Sequence, residues 1–531
     1  MFRTRDYASV MRGAIAAGHR LTAEAGAEIL AEGGNAVDAC LAAAFASWVA
    51  ESPLTGPGAG GFLLVHRARD RADRLLDFFV GVPGQGSRRP IEPHMESIDI
   101  DFDGSSSQVF LVGPGSCAVP GKVAGLEAAH RRYGSLPWRR LIEPAIALAR
   151  EGVEVTPPQA YLHAILDLIL RRTPEGRAIY GARGRLMAGE RVVMRDLAST
   201  LEQIAERGAR ALYGGELGRA VVSHLRKQGG LITTRDLAAY RVIWRRPLRV
   251  PFEGRTFVSN PPPSSGGILI GYGLSLLDHM SGSGKPGSAE AIATLVEVMR
   301  EQSRAREGSF SGDLYRGGLA RRLYAVEAVR SAVGRIGQGR HVEKEPAGAP
   351  GTTHISVVDE RGNAASLTAS IGSGSGVIVP GTGIHLNNML GEYDLNPPGR
   401  RARPGLRLTS MMAPSLVLAG DRPRLVVGSA GSIRLRGAIL QIVVNVVRHG
   451  LPVEEAIAAS RVHLDDGHVH CEGGSDQAEL DRLERLGYDL IRWRRHNLYF
   501  GGASAVELLK DGSLAAAGDP RRGGHGIVVP A

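Results

Sequence analysis

Cysteine is scarce in this sequence: Cys40, Cys117 and Cys471 are the only three among 531 residues. Their odd number and wide spacing exclude a disulfide framework and agree with a reducing compartment. Long apolar runs are missing as well. No stretch reaches the roughly 18 residues that a membrane-spanning helix requires. The opening segment, MFRTRDYASVMRGAIAAGHR, scatters Arg and Asp where a secretory signal needs unbroken apolar residues. The expectation is a soluble cytoplasmic protein with no membrane partner. Aromatic residues make up only 5%, and lysine supplies just five of the 64 basic side chains. The formal charge of +10 is therefore an excess of arginine, spread in ones and twos beside acids. A nucleic-acid surface gathers its basic residues and interleaves aromatics, so no nucleic-acid partner is expected.

Glycine is what the chain has in abundance: 71 residues, almost twice the usual share of about 7%. These glycines punctuate periodic segments and do not form low-complexity tracts. A hydrophobic content of 43% supports a large core. LTAEAGAEILAEGGN predicts a helix capped by Thr22 and stopped at Gly33-Gly34. AVDACLAAAFASWVA is apolar on nearly every face and predicts a buried helix. FLLVHR and RLLDFFVGV predict buried strands, and residues 120–330 are mostly helical in pattern. Residues 334–351, GRIGQGRHVEKEPAGAPG, have linker composition. Beyond them TTHISVVD and AASLTAS form a hairpin around DERGN, followed by further strands and helices. Strands alternating with helices on both sides of the linker predict a layered α/β (α+β) fold.

Several motifs fail on context. Gly56 to Gly61 satisfies G-x-G-x-x-G, but a helix precedes it and a strand follows, the reverse of a dinucleotide site. No phosphate loop or G-x-S-x-G elbow exists. His463, His468, His470 and Cys471 cluster without any fixed metal-ligand spacing, so no metal is assigned. Cys40 lies inside the apolar helix, where a thiol is inert.

The junction Gly351-Thr352 leaves two readings open. One is a linker meeting an ordinary strand. The other is a cleavage site that frees Thr352 as a new N-terminus. A free α-amine titrates near 7.7–8.0, so a terminal Thr would carry a nucleophilic hydroxyl and its own general base. Counting from a turn centred near Arg361 sets Ser370 opposite Thr352, with Cα atoms roughly 4.5–5.5 Å apart. Farther on, Gly428-Ser429-Ala430-Gly431-Ser432 joins a strand to a long helix. Backbone N–H groups at such a turn suit an anion or oxyanion, and a tight packing turn reads the same way.

Taken together, AGHRLTAEAGAEILAEGGNAVDACLAAAFA, ESPLTGPGAGGFLLVH, PGTTHISVVDERGNAASLTAS, SGVIVPGTGIHLNNMLGEYDLNPPG and LTSMMAPSLVL resemble the γ-glutamyltransferase (γ-glutamyltranspeptidase) family of N-terminal-nucleophile hydrolases. The resemblance covers almost the whole chain. It implies a four-layer αββα sandwich made as one precursor that cuts itself between Gly351 and Thr352. Residues 1–351 would become a large subunit and 352–531 a small one, each the other's partner. Thr352 would attack a small-molecule amide or γ-glutamyl substrate, and water or an amine acceptor would resolve the acyl-enzyme. Ser370 falls where the family holds a hydroxyl against the nucleophile. Gly431 and Ser432 fall on its oxyanion pair, the second glycine replaced. No cofactor is implied.

The substrate pocket departs from the family pattern. Phe79 stands where the family has an Arg for the substrate α-carboxylate. The Ser-Ser pair on that carboxylate corresponds to Ser410 and Met411. A pocket Asn becomes Gly372, the Asp on the substrate amine becomes Glu392, and the Gln or Glu before it becomes Met389. The expected enzyme keeps the catalytic parts and loses most of the amino-acid clamp, which makes an acylase-like member acting on some other amide the expectation.

Overall fold

The computed structural model describes residues 11–86, 94–102, 106–280, 282, 284–336, 351–392 and 403–531. Thr352–Asp359 and Ala364–Ser370 form the expected hairpin, with Thr352 opposite Ser370. Asp359 sets that register. One carboxylate oxygen accepts from the backbone N–H groups of Arg361 (2.9 Å) and Asn363 (3.0 Å), closing an Asx-type turn. The other accepts from the N–H of Ala36 at 3.0 Å, tying the turn to the start of the helix Ala36–Ala50.

The hairpin sits inside a seven-stranded antiparallel sheet. Its order is His525–Pro530, Met11–Ala17, Thr352–Asp359, Ala364–Ser370, Gly60–Arg67, Ala72–Phe78 and Ile243–Arg245. A second antiparallel sheet of six strands packs against it. There the order is Leu514–Gly518, Gly502–Leu508, Arg422–Ala430, Ser415–Ala419, Arg255–Ser259 and Leu248–Phe252. Each sheet mixes strands from before and after Gly351. Helices Arg20–Ala31, Ala36–Ala50, Trp138–Glu151 and Arg195–Arg207 share one core with the outer face of the first sheet. Helices Gly266–Asp278 and Leu435–Val447 cover the second. This is the αββα sandwich expected from the sequence.

Helix Ala36–Ala50 is buried along its entire length. Its alanines let it lie close against the sheet that carries Thr352, so small side chains here serve proximity. Two local expectations need correction. Helix Arg20–Ala31 is capped by His19, whose Nδ1 accepts from the Leu21 N–H at 3.1 Å. Thr22 lies inside the first turn, and its hydroxyl turns to Glu51 instead. Gly334 and Arg335, assigned to the linker, end the helix Val326–Arg335. Linker residues 337–350 lie outside the described residues. Among the described residues no helix is long and apolar enough to cross a membrane.

Candidate active site

Alternation along Thr352–Asp359 sends successive side chains to opposite faces of the sheet. Ile355 and Val357 enter the core beneath helix Ala36–Ala50. His354 and Ser356 face the second sheet: the imidazole lies against Gly428, and the Ser356 hydroxyl donates to the Ser504 carbonyl at 3.1 Å. Thr352 shares that face and opens into a small cavity between the sheets.

The cavity gathers nearly every residue picked out from the sequence. Thr352, Ser370, Gly372 and Ser432 form one part of its lining. Phe79, Met389, Glu392, Ser410 and Met411 form the rest, joined by Met412 and Leu435, which the sequence did not single out. Gly431 precedes Ser432 in the chain. The volume is about 30 Å3, room for roughly one water molecule.

The Gly351–Thr352 junction is closely packed. A Cβ at Gly351 would fall on the Gly372 carbonyl oxygen, so only glycine fits there. The Ser370 hydroxyl donates to the Gly351 carbonyl and accepts from the Gly372 N–H at 2.8 Å. Arg522 donates from Nη1 to the Thr352 carbonyl at 2.9 Å. Gly372 has φ +70, and the space a side chain would need is taken by Asn388 and Glu392. Asn388 accepts from the Ser373 N–H at 3.0 Å and donates to the Ser373 hydroxyl at 2.7 Å. A neighbouring amide thus stands where the resemblance would put an Asn side chain.

The strand Arg422–Ala430 contains Gly428, Ser429 and Ala430. Gly431 then turns at φ +125, and a short 3-10 segment, Ser432–Arg434, leads into the helix Leu435–Val447. Ser432 adopts φ +54, a left-handed conformation that glycine takes more readily.

The remaining wall is apolar. Phe79 is fully buried and stacks on Phe62, ring centroids 5.5 Å apart. Met389, Met411 and Met412 are each at least 96% buried, and the Ser265 hydroxyl contacts the Met411 sulfur at 3.3 Å. Among the described residues no Arg side chain lines the cavity. Arg407 lies nearby but is committed elsewhere. Its guanidinium meets Asp77 at 3.2 Å, the Phe79 carbonyl, and the Tyr240 hydroxyl at 2.6 Å.

Motifs rejected from the sequence have structural roles. Gly58 and Gly61 press against the backbone at His385 and Thr368, which a Cβ would prevent. His468 pairs with Asp489 at 3.0 Å. His470 Nδ1 accepts from the Trp493 indole at 3.1 Å, and burial pushes its pKa down to about 4. Among the described residues no group of three or more His, Cys, Asp or Glu is arranged to hold a metal. Burial raises the Cys117 and Cys471 thiols to about 12, leaving both protonated near neutrality.

The sequence model of the family described as "Gamma-glutamyltranspeptidase" matches residues 22–529. The chain belongs to the γ-glutamyltranspeptidase family. It is therefore an N-terminal-nucleophile amide hydrolase or acyltransferase by descent. It is 34% identical to the "Acylase ACY 1 proenzyme" of Pseudomonas sp. (strain SE83), over 98% of this chain and 94% of that protein. It is 32% identical to the "Glutathione hydrolase proenzyme" of Pseudomonas aeruginosa, over 97% and 94%. Among solved structures it is similar to the cephalosporin acylase from Bacillus halodurans, with a TM-score of 0.84 and 25% identity over 99% and 97% of the chains. The γ-glutamyltranspeptidase of Helicobacter pylori matches 63% of this chain and 93% of its own, with a TM-score of 0.52 and 28% identity.

Proposed function

We propose that this γ-glutamyltranspeptidase-family chain cuts itself before Thr352 and then uses Thr352 to hydrolyse or transfer an acyl group that lacks the γ-glutamyl α-carboxylate. In the first step the Thr352 hydroxyl attacks the Gly351 carbonyl carbon. The C–N bond breaks, the nitrogen takes the proton, and water hydrolyses the resulting ester to leave a free carboxylate and a free α-amine. The hydrogen bond from Ser370 to the Gly351 oxygen supports this step, because it polarises the carbonyl under attack. Residues 1–351 and 352–531 then remain as interleaved subunits.

In the second step the freed amine acts as general base for the Thr352 hydroxyl. An acyl-enzyme forms, the amide's amine leaves with a proton, and water or an amine takes the acyl group. Backbone N–H groups at Gly431 and Ser432 would receive the oxyanion. The small-molecule substrate is read from the wall of the cavity.

The observation that carries the substrate reading is Phe79 beside Met411 in a cavity that no Arg lines among the described residues. An Arg–carboxylate pair contributes charge-assisted, often bidentate hydrogen bonds of about 1.5–3 kcal/mol each. Phe79 offers no donor, and an apolar ring disfavours a desolvated carboxylate. The similarity to acylases points the same way. Ser410 and Glu392, both on the cavity wall, favour a second reading, ordinary γ-glutamyl transfer.

The test has two parts. N-terminal sequencing of the smaller fragment should begin at Thr352, and Thr352→Ala should remain a single inactive chain of 56.3 kDa. A chain that stays whole in the wild type would indicate a non-catalytic binding relative. With processed enzyme, kcat/KM is compared for a γ-glutamyl anilide and its des-carboxy counterpart. A wild-type preference for the γ-glutamyl compound of about tenfold or more would establish the second reading.

A further inference from the structure

Behind the nucleophile strand, on the face turned away from the cavity, lies a buried polar layer without a role in the chemistry above. Alternation points Thr353 into it, and its hydroxyl donates to Glu51 Oε2. Thr22 donates to the other oxygen of the same carboxylate at 2.8 Å. Lys122 is fully buried, donates to the Thr55 hydroxyl at 2.6 Å and lies 5.7 Å from the Trp48 ring centre. Arg522, which holds the Thr352 carbonyl, lines the small cavity beside Glu51. A Cβ at Gly18 would strike the Glu51 carboxylate, so the backbone makes way for it.

We propose that Glu51 is a positioning residue for Thr352, acting through the Thr353 hydroxyl, with Lys122 and Arg522 as its buried counter-charges. The proposal rests on Thr352 being the nucleophile. A carboxylate and two cations removed from water cost several kcal/mol each unless matched, and hydrocarbon would fill this layer more favourably. Self-cleavage supplies a reason for the expense. Once the Gly351–Thr352 bond is cut, Thr352 is a chain end, and chain ends fray unless tied down. Three ties then hold it: the ladder to Ser370, Arg522 on its own carbonyl, and Glu51 on the adjacent hydroxyl. Hydrogen bonds in a low-dielectric interior are strong and directional, so they fix the rotation of the strand end.

In this layer burial and mutual attraction oppose each other. Burial pushes Lys122 down to about 7 and Glu51 up, each opposed by the other's charge. The groups facing it are Cys40 from helix Ala36–Ala50, His19 ahead of helix Arg20–Ala31, and Arg522. Asp519, Arg434 and Arg461 act on Arg522 in turn.

The experiment uses the full chain after processing, with activity normalised to the amount of free Thr352 terminus. Glu51→Gln and Thr353→Val should lose about tenfold or more in kcat with KM changed less than about twofold, whereas Thr353→Ser should stay near wild type. Lys122→Met removes one buried counter-charge of Glu51, which pushes the Glu51 carboxyl further up toward its protonated form, so kcat should fall as it does in Glu51→Gln. A kcat loss below about twofold in Thr353→Val, or equal defects in Thr353→Ser and Thr353→Val, overturns the proposal. An unchanged kcat in Lys122→Met removes Lys122 from it. The Thr353 pair decides the matter if Glu51→Gln does not fold. A wild-type chain that never yields a Thr352 terminus sinks the nucleophile reading itself, which is separately visible.

Discussion

The Ser370 hydroxyl bridges two backbone groups, donating to the Gly351 carbonyl and accepting from the Gly372 N–H at 2.8 Å. It therefore sits on the oxygen that would carry negative charge during self-cleavage. Losing one donor at such a position costs about 100-fold or more in rate. Ser370→Ala should slow the appearance of the smaller fragment by about that factor, and Ser370→Thr should retain most of the rate. A time course on denaturing gels measures it. Equal rates for Ser370→Ala and wild type would remove Ser370 from the cleavage step.

Phe79 joins the cavity wall to the core. It is fully buried against Phe62, so Phe79→Ala should destabilise the protein by about 3–5 kcal/mol through lost transfer energy and a cavity. Denaturant titration with unchanged slope checks this. The burial also constrains Phe79→Arg as a specificity test, since an unpaired guanidinium would be desolvated there. Met411→Ser restores the second hydroxyl of the family's pair and disturbs less volume. It should raise kcat/KM for the γ-glutamyl anilide relative to the des-carboxy compound, and an unchanged ratio would count against the pocket assignment.

Ser432 holds a left-handed backbone at φ +54 between Gly431 and the helix Leu435–Val447. An L-residue there costs roughly 1–2 kcal/mol, partly offset by the greater freedom glycine loses on folding. Ser432→Gly should thus stabilise the fold by about 0.5–1 kcal/mol. Because the backbone N–H is kept, activity should persist. Thermal melts alongside kcat measurements test both halves.

Acid stability should reflect buried histidines. Burial lowers His354 to about 3 and His19, His163 and His385 each to about 4, from 6.5. Between those values the unfolded chain binds more protons than the folded one, so stability falls as pH falls. Their contribution is complete above pH 6.5 and lost progressively toward pH 4. The thermal midpoint should therefore drop by several degrees between pH 7.5 and 5, and a constant midpoint would contradict the burial of these rings.

Much of the site was legible because its parts are local. A DERGN turn with Asp359 accepting from its own loop defines the hairpin, and period-2 pairing then puts Ser370 opposite Thr352. The Gly-Ser turn at 431–432 was legible for the same reason. Thr22 was misread as a cap because Ser and Thr favour that position. Here the extended backbone at His19 let its ring take the cap, and a buried carboxylate claimed the Thr22 hydroxyl.

The sequence alone therefore determined the hairpin, its register and the layered class of the fold. These follow from turn chemistry and periodicity within about twenty residues, where backbone geometry leaves few alternatives. Tertiary structure decided what surrounds Thr352. Glu51 reaches Thr353 across 302 residues, Arg522 reaches Thr352 across 170, and Met412 and Leu435 join a wall begun by Phe79. No local pattern encodes such contacts. They exist because two sheets stack face to face and bury the ends of distant strands at one place, where each polar group must find a partner from whatever element the packing brings near.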